Sequence, residues 1–574
     1  MTVQRSEPAI RRRRGGGGSA LVGAGILLSR VTGLVRERAI GHFFGTGYAA
    51  DAFTAANRIP NVLQSLLGEG VLSASIIPTY SRLLAQGREG DAGRVAGAVA
   101  GLLAVVVGTL VLLMVAFARP VTAVLAPGLG EETFELTVTL MRIITPAIGI
   151  LVLSAWCLGV LNSHRRFFLS YVAPALMNVM QVAVLVVAAS VVVGELGGDL
   201  GAAAQSSLVV WLAWGTVIGG VMQFAVQVPT VMRVAPGLRF SMRTRDTGTR
   251  EVIRSFVPIV AGRGVVHLSG FLQLVLASFL ALGALAAMRY AQILYVLPVS
   301  LFGMAVAAAE LPELSSISAD RRDVLRARVG SGLARIVFFV APTMVAYVVV
   351  GDFLVAALYQ SGEFDRADVV QVWIILAVHA LGLLATTGSR LLQSVLYGQG
   401  RPRTPARIAV VRVAVALALG LVLMFQFDRL VIGPDGLEQV GDLPAFTPLP
   451  QQFRDPSVEG EHHLGAVGLA VAAAAASLIE YQMLRRAVRP HVAEVTMVGG
   501  RLRLTLVAAA ISGVAAIAVR PIAAGLAPIV AGLVVVGVVG AVYLVAAWRL
   551  GVPEARRFVQ LASRRARTGP DPGS

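Results

Sequence analysis

The sequence contains no lysine: all 49 basic residues are arginine, set against 32 acidic ones, for a formal charge of +17. A Walker-type phosphate loop and Schiff-base chemistry both need lysine, so those two enzyme classes are excluded. Cysteine is nearly absent too. Cys157 stands alone in an apolar run, which rules out an intrachain disulfide and fits core packing rather than a reactive thiol. Charge of either sign is sparse, at 14% of 574 residues, against 56% hydrophobic residues and a mean hydropathy of +0.76. A soluble chain of this length needs more charge to cover its surface.

What is present is a series of apolar runs of about 20 residues or more, the length that crosses a hydrocarbon core. They lack strand-like alternation, so the expected fold is an all-α integral membrane protein rather than a β-barrel. Fourteen segments are predicted, near 20–43, 50–83, 94–118, 135–162, 167–194, 206–233, 252–281, 284–314, 330–358, 368–398, 405–427, 464–487, 502–521 and 526–549. With an internal N-terminus, the arginines fall on the expected side of alternate loops. Arg165 and Arg166, Arg239 to Arg250, Arg321 to Arg328 and Arg401 to Arg407 lie on one side. Glu131, Glu132, Glu195, Asp199, Glu363 and Asp365 lie on the other. Both termini are therefore expected on the cytoplasmic side.

The predicted organisation is a cytoplasmic Arg/Gly-rich tail over 1–19, a six-helix bundle over 20–233, and a cytoplasmic linker over 234–251. A second six-helix bundle spans 252–487, two further helices lie in 502–549, and a cytoplasmic tail covers 550–574. An outer loop over 428–463 is too short and polar for a core of its own. Its His462-His463 pair, with Glu459 and Glu461, is a short cluster in a loop that looks unstructured, so no metal or cofactor is expected. A faint parallel repeat relates the two halves: Gly70 to Pro78 resembles Met304 to Pro312, 234 positions on. Such repeats place a substrate site between the halves, near the midplane.

Ionisable residues inside the runs are costly, about 2.5–3.5 kcal/mol for a central arginine, and so mark candidate sites. The densest set is in the first two segments: Ser29, Arg30, Arg36, Asp51, Arg58, Asn61 and Glu69. Arg263 and His267 lie four apart in the seventh, and Arg289 and Arg390 in the eighth and tenth. The second segment is too polar to face lipid all round and is expected to line a water-filled cavity, with Pro60 and Gly68 or Gly70 letting it bend. An excess of arginine over acid suits phosphate, which a guanidinium grips bidentately. Helix-to-helix ion pairing is the competing account of any one of these residues; it fits the whole set less well, because the arginines outnumber the acids.

The run Ser29-Arg-Val-Thr-Gly-Leu-Val-Arg36, then Phe44-Gly-Thr-Gly, Ala50-Asp-Ala-Phe53, Arg58-Ile-Pro-Asn61 and Gly68-Glu-Gly70 resembles the MurJ/MviN family. These are lipid II flippases within the multidrug/oligosaccharidyl-lipid/polysaccharide exporter superfamily. The likeness extends more loosely through Ala277 to Leu280, Tyr290-Ala291, Leu311-Pro312 and Arg403-Thr-Pro405. It implies two six-helix bundles forming a V around a cationic cavity, with the last two helices adding a groove for a lipid tail. The implied substrate is the undecaprenyl-pyrophosphate-linked disaccharide-peptide, lipid II, turned from inner to outer leaflet by alternating access. Membrane lipids and cell-wall synthesis proteins are the implied partners, and nucleic acid is not. Arg30 and Arg36 would meet the pyrophosphate, Asp51 would be a cavity acid, and Arg390 holds a basic family position.

Two positions depart from the family pattern. Tyr290-Ala291-Gln292 is followed by Ile293 where many relatives carry arginine, and Gln64 stands where some do. Arg263 or Arg289 would then supply the missing charge. A drug exporter would favour acids for cationic substrates, contrary to this basic set. A flippase for another polyprenyl-pyrophosphate-linked glycan remains an alternative. A membrane-embedded glycosyltransferase fits less well: that chemistry usually needs positioned carboxylates or a metal on a sizeable outer loop. The loop after the first segment is short and without paired acids, and no HExxH or GxSxG motif stands out.

Overall fold

The computed structural model describes residues 16–195, 201–241, 247–304, 306, 321–433, 436–454, 462–492 and 501–557. The extreme tails, Glu459, Glu461 and most of the second repeat copy lie outside the described residues, as do the side chains of Glu69, Arg263 and His267. The helices are α1 (Gly16–Phe44), α2 (Tyr48–Leu67), α3 (Glu69–Ala85), α4 (Glu89–Ala116), α5 (Ala118–Leu125) and α6 (Glu131–Ser163). Next come α7 (Phe167–Glu195), α8 (Ala202–Val234), α9 (Thr247–Ala277) and α10 (Ala284–Pro298), which runs into a π-helical turn, Val299–Met304. The remainder are α11 (Arg322–Tyr359), α12 (Arg366–Leu381), α13 (Leu383–Gly398), α14 (Arg403–Asp428), α15 (Gly465–Val492), α16 (Arg501–Ala524) and α17 (Pro528–Arg549).

Each expected segment coincides with a helix or a broken pair, but the count by length and apolarity is lower than fourteen. Among the described residues ten helices are long and apolar enough to cross a membrane, and the pair α12–α13, bent by 44°, makes eleven. The three that fall short are α1, α2–α3 and α9, which carry Arg30 and Arg36, Arg58, and Arg254 and Arg263. The protein is a multi-pass membrane protein. The expected bend in the second segment occurs at Gly68, whose backbone leaves helical geometry (φ −93°, ψ −144°), while Pro60 sits within an unbroken α2.

The chain forms two compact units. The first comprises 1–39, 56–118 and 139–267. Its core gathers Leu72, Ile76 and Tyr80 of α3, Ala96, Val99 and Leu103 of α4, and Trp156 and Val160 of α6. Trp156 Nε1 donates to the Ala96 carbonyl at 3.1 Å, so even this indole is satisfied. Glycines 93, 97 and 101 of α4 let the extended stretch after α8 lie flush on the helix. A Cβ there would fall 2.1, 2.2 and 2.5 Å from the carbonyl oxygens of Pro236, Arg239 and Ser241.

The second unit comprises 40–55, 119–138 and 268–574. One core joins Leu333, Ile336 and Val340 of α11 to Leu391 and Val395 of α13, Leu484 of α15 and Tyr543 of α17. A second packs Val350 and Phe353 of α11 against Ala516, Ala523, Ala531 and Val535 of α16 and α17. The π-helical turn abuts α13: a Cβ at Gly303 would fall 2.6 Å from Thr387 Cγ2, and Tyr295 Oη donates to Thr386 Oγ1 at 2.8 Å.

The described residues of the outer loop carry regular structure, where the sequence reading expected none. Strands β1 (Leu430–Gly433) and β2 (Gly436–Gln439) pair antiparallel with Leu430 opposite Gln439. The returning segment joins β1: Ile432 N donates to the His462 carbonyl (3.1 Å) and Leu464 N to that of Leu430 (2.9 Å). Ala445, Leu449 and His463 are buried, so the loop covers an apolar surface of its own unit.

Candidate functional site

In the first unit, Arg36 is held between α1 and α7. Its Nη1 donates to Asn178 Oδ1 at 3.0 Å and reaches Gln181 Oε1 at 3.5 Å, while Nη2 pairs with Glu37. Asn178 is in turn oriented by its Nδ2, which donates to the Ser29 carbonyl and Thr32 Oγ1, each at 3.3 Å. Gln181 Nε2 donates to Thr216 Oγ1 at 2.6 Å. Ser29 and Arg36 are seven apart, so they share a face of α1, as a 3.6-residue period requires. Arg36 Nε is buried without a hydrogen-bond partner among the described residues, and the side chain keeps 26% of its surface exposed. The arrangement presents a braced guanidinium with donor capacity in reserve.

Arg30 points elsewhere on α1 and is exposed; Arg58 and Asn61, three apart, form an exposed polar stripe on α2. Neither Arg30 nor Arg58 has a carboxylate partner among the described residues, and the same is true of exposed Arg390 on α13 in the second unit.

In the second unit, Asp51 is 3% exposed, and its carboxylate is committed to a remote helix end. Its Oδ2 accepts from Gly283 N at 2.8 Å and its Oδ1 from Ala286 N at 2.7 Å, so Asp51 caps the N-terminus of α10. A helix N-terminus carries unpaired N–H groups and partial positive charge, which a carboxylate satisfies. The sequence reading placed this acid in a water-filled cavity; the structure buries it in a cap. Gly283 adopts φ +85°, and a Cβ there would lie 2.7 Å from the Thr46 carbonyl oxygen, so glycine is required on both counts. The same contact zone positions Arg289, whose guanidinium lies 5.7 Å over the Phe53 ring and 5.8 Å over that of Tyr290. Tyr290 Oη donates to the Gly45 carbonyl at 3.2 Å.

Two ionisable networks of the second unit escaped the sequence reading. Glu480 of α15, 7% exposed in its side chain, accepts from Gln393 Nε2 at 3.1 Å and faces Arg412 Nε at 3.6 Å. Arg412 also lines a cavity of about 120 Å³ with Gln273, Leu276, Leu417 and Leu469. Asp352, fully buried, receives Arg520 and Arg366. Glu480 and Arg520 were visible as lone charges deep in apolar runs. That signal was sufficient to find them.

The family model described as "Lipid II flippase MurJ" matches residues 40–434, more than half of the chain. The lipid II flippase MurJ of Burkholderia cenocepacia is 33% identical over 392 residues, covering 67% of this chain and 73% of that protein. Among solved structures, a lipid II flippase MurJ in an inward closed conformation aligns with a TM-score of 0.67 over 92% of this chain and 98% of that one, at 18% identity. An inward-facing multidrug resistance transporter of the MATE family aligns with a TM-score of 0.57 over 82% of this chain and 99% of that chain, at 14% identity. Those two structures establish a shared fold, and the family model and the sequence relative carry the assignment further. With a braced arginine on α1 and a match running from the end of that helix to the first strand of the outer loop, the chain belongs to the lipid II flippase MurJ family.

Proposed function

We propose that this chain translocates lipid II, the undecaprenyl-pyrophosphate-linked disaccharide-peptide, from the inner to the outer leaflet of a bacterial cytoplasmic membrane by alternating access. It does so without covalent chemistry, with both termini on the cytoplasmic side. Beyond family membership, the observation that carries the reading is the set of helix-borne arginines lacking carboxylate partners among the described residues: Arg30, Arg58 and Arg390. Holding such charge within membrane helices is costly unless a ligand compensates it, and pyrophosphate is the anion that guanidinium geometry fits. Arg36, Ser29, Asn61, Glu69 and Arg263 are further proposed substrate contacts within the first unit. In the second unit Asp51 contributes indirectly, by fixing α10.

The missing family arginine at Ile293 has a substitute in this reading. Arg289 precedes Ile293 by four residues, one turn away on the same face of α10. The test is to deplete the resident lipid II flippase of a bacterium, express this chain and measure lipid II reaching the outer leaflet. Transport that falls with Arg30→Ala or Arg36→Ala at equal expression supports the proposal. An inserted, folded chain that moves no lipid II overturns it in favour of another polyprenyl-pyrophosphate-linked glycan.

A further inference from the structure

At one end of the second unit, three side chains from two segments converge. Asp365 is the N-cap of α12 and Asp368 is its third helical residue; His462 comes from the segment paired with β1. The two carboxylates are locked by a reciprocal capping box. Asp365 Oδ1 accepts from Asp368 N at 2.8 Å, and Asp365 N donates to Asp368 Oδ2 at 3.2 Å. Asp368 Oδ1 also accepts from the Thr46 hydroxyl. A carboxylate oxygen has two lone pairs, so both residues keep acceptor capacity.

His462 Nδ1 lies 3.5 Å from Asp368 Oδ1, and its Nε2 lies 4.0 Å from Asp365 Oδ1. These separations exceed an ordinary N–H···O bond, about 2.7–3.2 Å. An ion takes one imidazole nitrogen, and through Nδ1 the 3.5 Å separation from Asp368 Oδ1 approaches the edge of a tetrahedral zinc site, about 3.3 Å for metal–ligand bonds near 2.0 Å. One ligand atom from each of the three residues lies within 4.8 Å of the others. We infer that Asp365, Asp368 and His462 bind one divalent transition-metal ion of the zinc class, which clips the segment preceding α15 to the start of α12.

Two further observations support a cation rather than a surface cluster of acids. Asp368 is buried, and His462 is the only basic group within 4.0 Å of either carboxylate among the described residues. A second buried acceptor adjoins the site. Gln371, 1% exposed, sits one turn beyond Asp368 on the same face of α12, and its Nε2 donates to the carbonyl of His463 at 2.8 Å. Its Oε1 is buried without a hydrogen-bond partner among the described residues, on the interface that holds His462. The geometry is also preorganised. The backbone of His462 is fixed by Ile432, and His463 Nδ1 lies 2.7 Å from the Asp428 carbonyl oxygen. An imidazole with two carboxylates selects zinc or manganese over calcium and magnesium, which take oxygen ligands alone.

The test uses the full chain in detergent, purified without a histidine tag, stripped with chelator, desalted and titrated with zinc chloride. Elemental analysis after gel filtration should show one zinc per chain, undisturbed by tenfold excess calcium. Asp365→Asn keeps the N-cap acceptor at an exposed position, and His462→Gln keeps the side-chain length. Each should weaken zinc binding at least tenfold and abolish the zinc-induced rise in Tm, whereas His164→Gln, in the first unit, should leave both unchanged. Failure of the wild-type chain to retain stoichiometric zinc overturns the inference, as does equal retention by the Asp365 and His462 variants. These readouts do not depend on transport, so they stand apart from the flippase proposal.

Discussion

The two terminal nitrogens of Arg520 meet the two oxygens of Asp352, at 3.0 and 2.9 Å, forming a bidentate pair between α16 and α11. Arg520 Nη1 also donates to the Val349 carbonyl at 2.6 Å, and the guanidinium lies 5.2 Å over the ring of Phe353 and 5.7 Å over that of Trp373. Val350, between these contacts, has non-helical backbone angles, so the pair fastens α16 where α11 is kinked. Removing one partner of a buried pair costs about 3–5 kcal/mol. Arg366 stays on Asp352, so Arg520→Leu should destabilise by about 3 kcal/mol, the low end of that range. The Asp352→Leu/Arg520→Leu double variant should recover part of the loss. Thermal unfolding in detergent checks both.

Asp51 offers a way to separate a structural acid from a functional one. Loss of an N-cap costs about 0.5–2 kcal/mol, and asparagine is about as good a cap as aspartate. Asp51→Ala should therefore lower Tm, while Asp51→Asn keeps most of the stability. Equal loss of transport in both, with Asp51→Asn still folded, would show that the charge itself is needed.

The relation between Arg289 and Ile293 predicts a rescue. Arg289→Ala should cut transport at least tenfold, which is about 1.4 kcal/mol of lost stabilisation. Adding Ile293→Arg should restore a measurable part of it. No rescue in a folded double variant would mean the cation must sit at position 289 or is not used for transport.

Gly283→Ala should destabilise by about 1–2 kcal/mol, the cost of a left-handed L-residue, before the clash with the Thr46 carbonyl is added. The same variant should weaken the Asp51 cap, so combining it with Asp51→Ala should cost less than the sum of the two. A double-mutant cycle on chemical unfolding measures this.

His164, in the turn after α6, lies 2.9 Å from Tyr80 Oη through its Nε2. Burial holds its pKa below the ordinary value; Glu89 opposes this and Arg166 adds to it. The folded chain thus prefers the neutral ring, while the unfolded chain takes up a proton as pH falls through about 6.5. The contribution to stability is present above that pH and is lost as pH falls toward the lowered folded value. His164→Gln should flatten the acid side of the Tm–pH profile relative to wild type.

The helices were legible because an apolar run of fixed length carries its own signal, and Gly68 was legible as a bend because its neighbours are helix-forming. Arg36 stood out as an arginine inside such a run. The role of Asp51 was not legible: its partners Gly283 and Ala286 lie more than 200 residues away, and a cap has no periodicity that reaches so far. The outer loop was misread for a related reason. Its polar composition describes one face only, and the contacts that order it come from β1 pairing with the segment at His462. Asp365 and Asp368 looked like an ordinary acidic loop until folding brought His462 beside them.

The π-helical turn at Val299–Met304 and the end of α10 before it pack on α13 one turn beyond its 44° break at Gly382, through Gly303 beside Thr387 and Tyr295 on Thr386. Irregular turns are where a helix yields first. The second unit therefore has its two irregular backbone points about one helical turn apart along one contact, so a substitution that repacks either meets the same two threonines, Thr386 and Thr387.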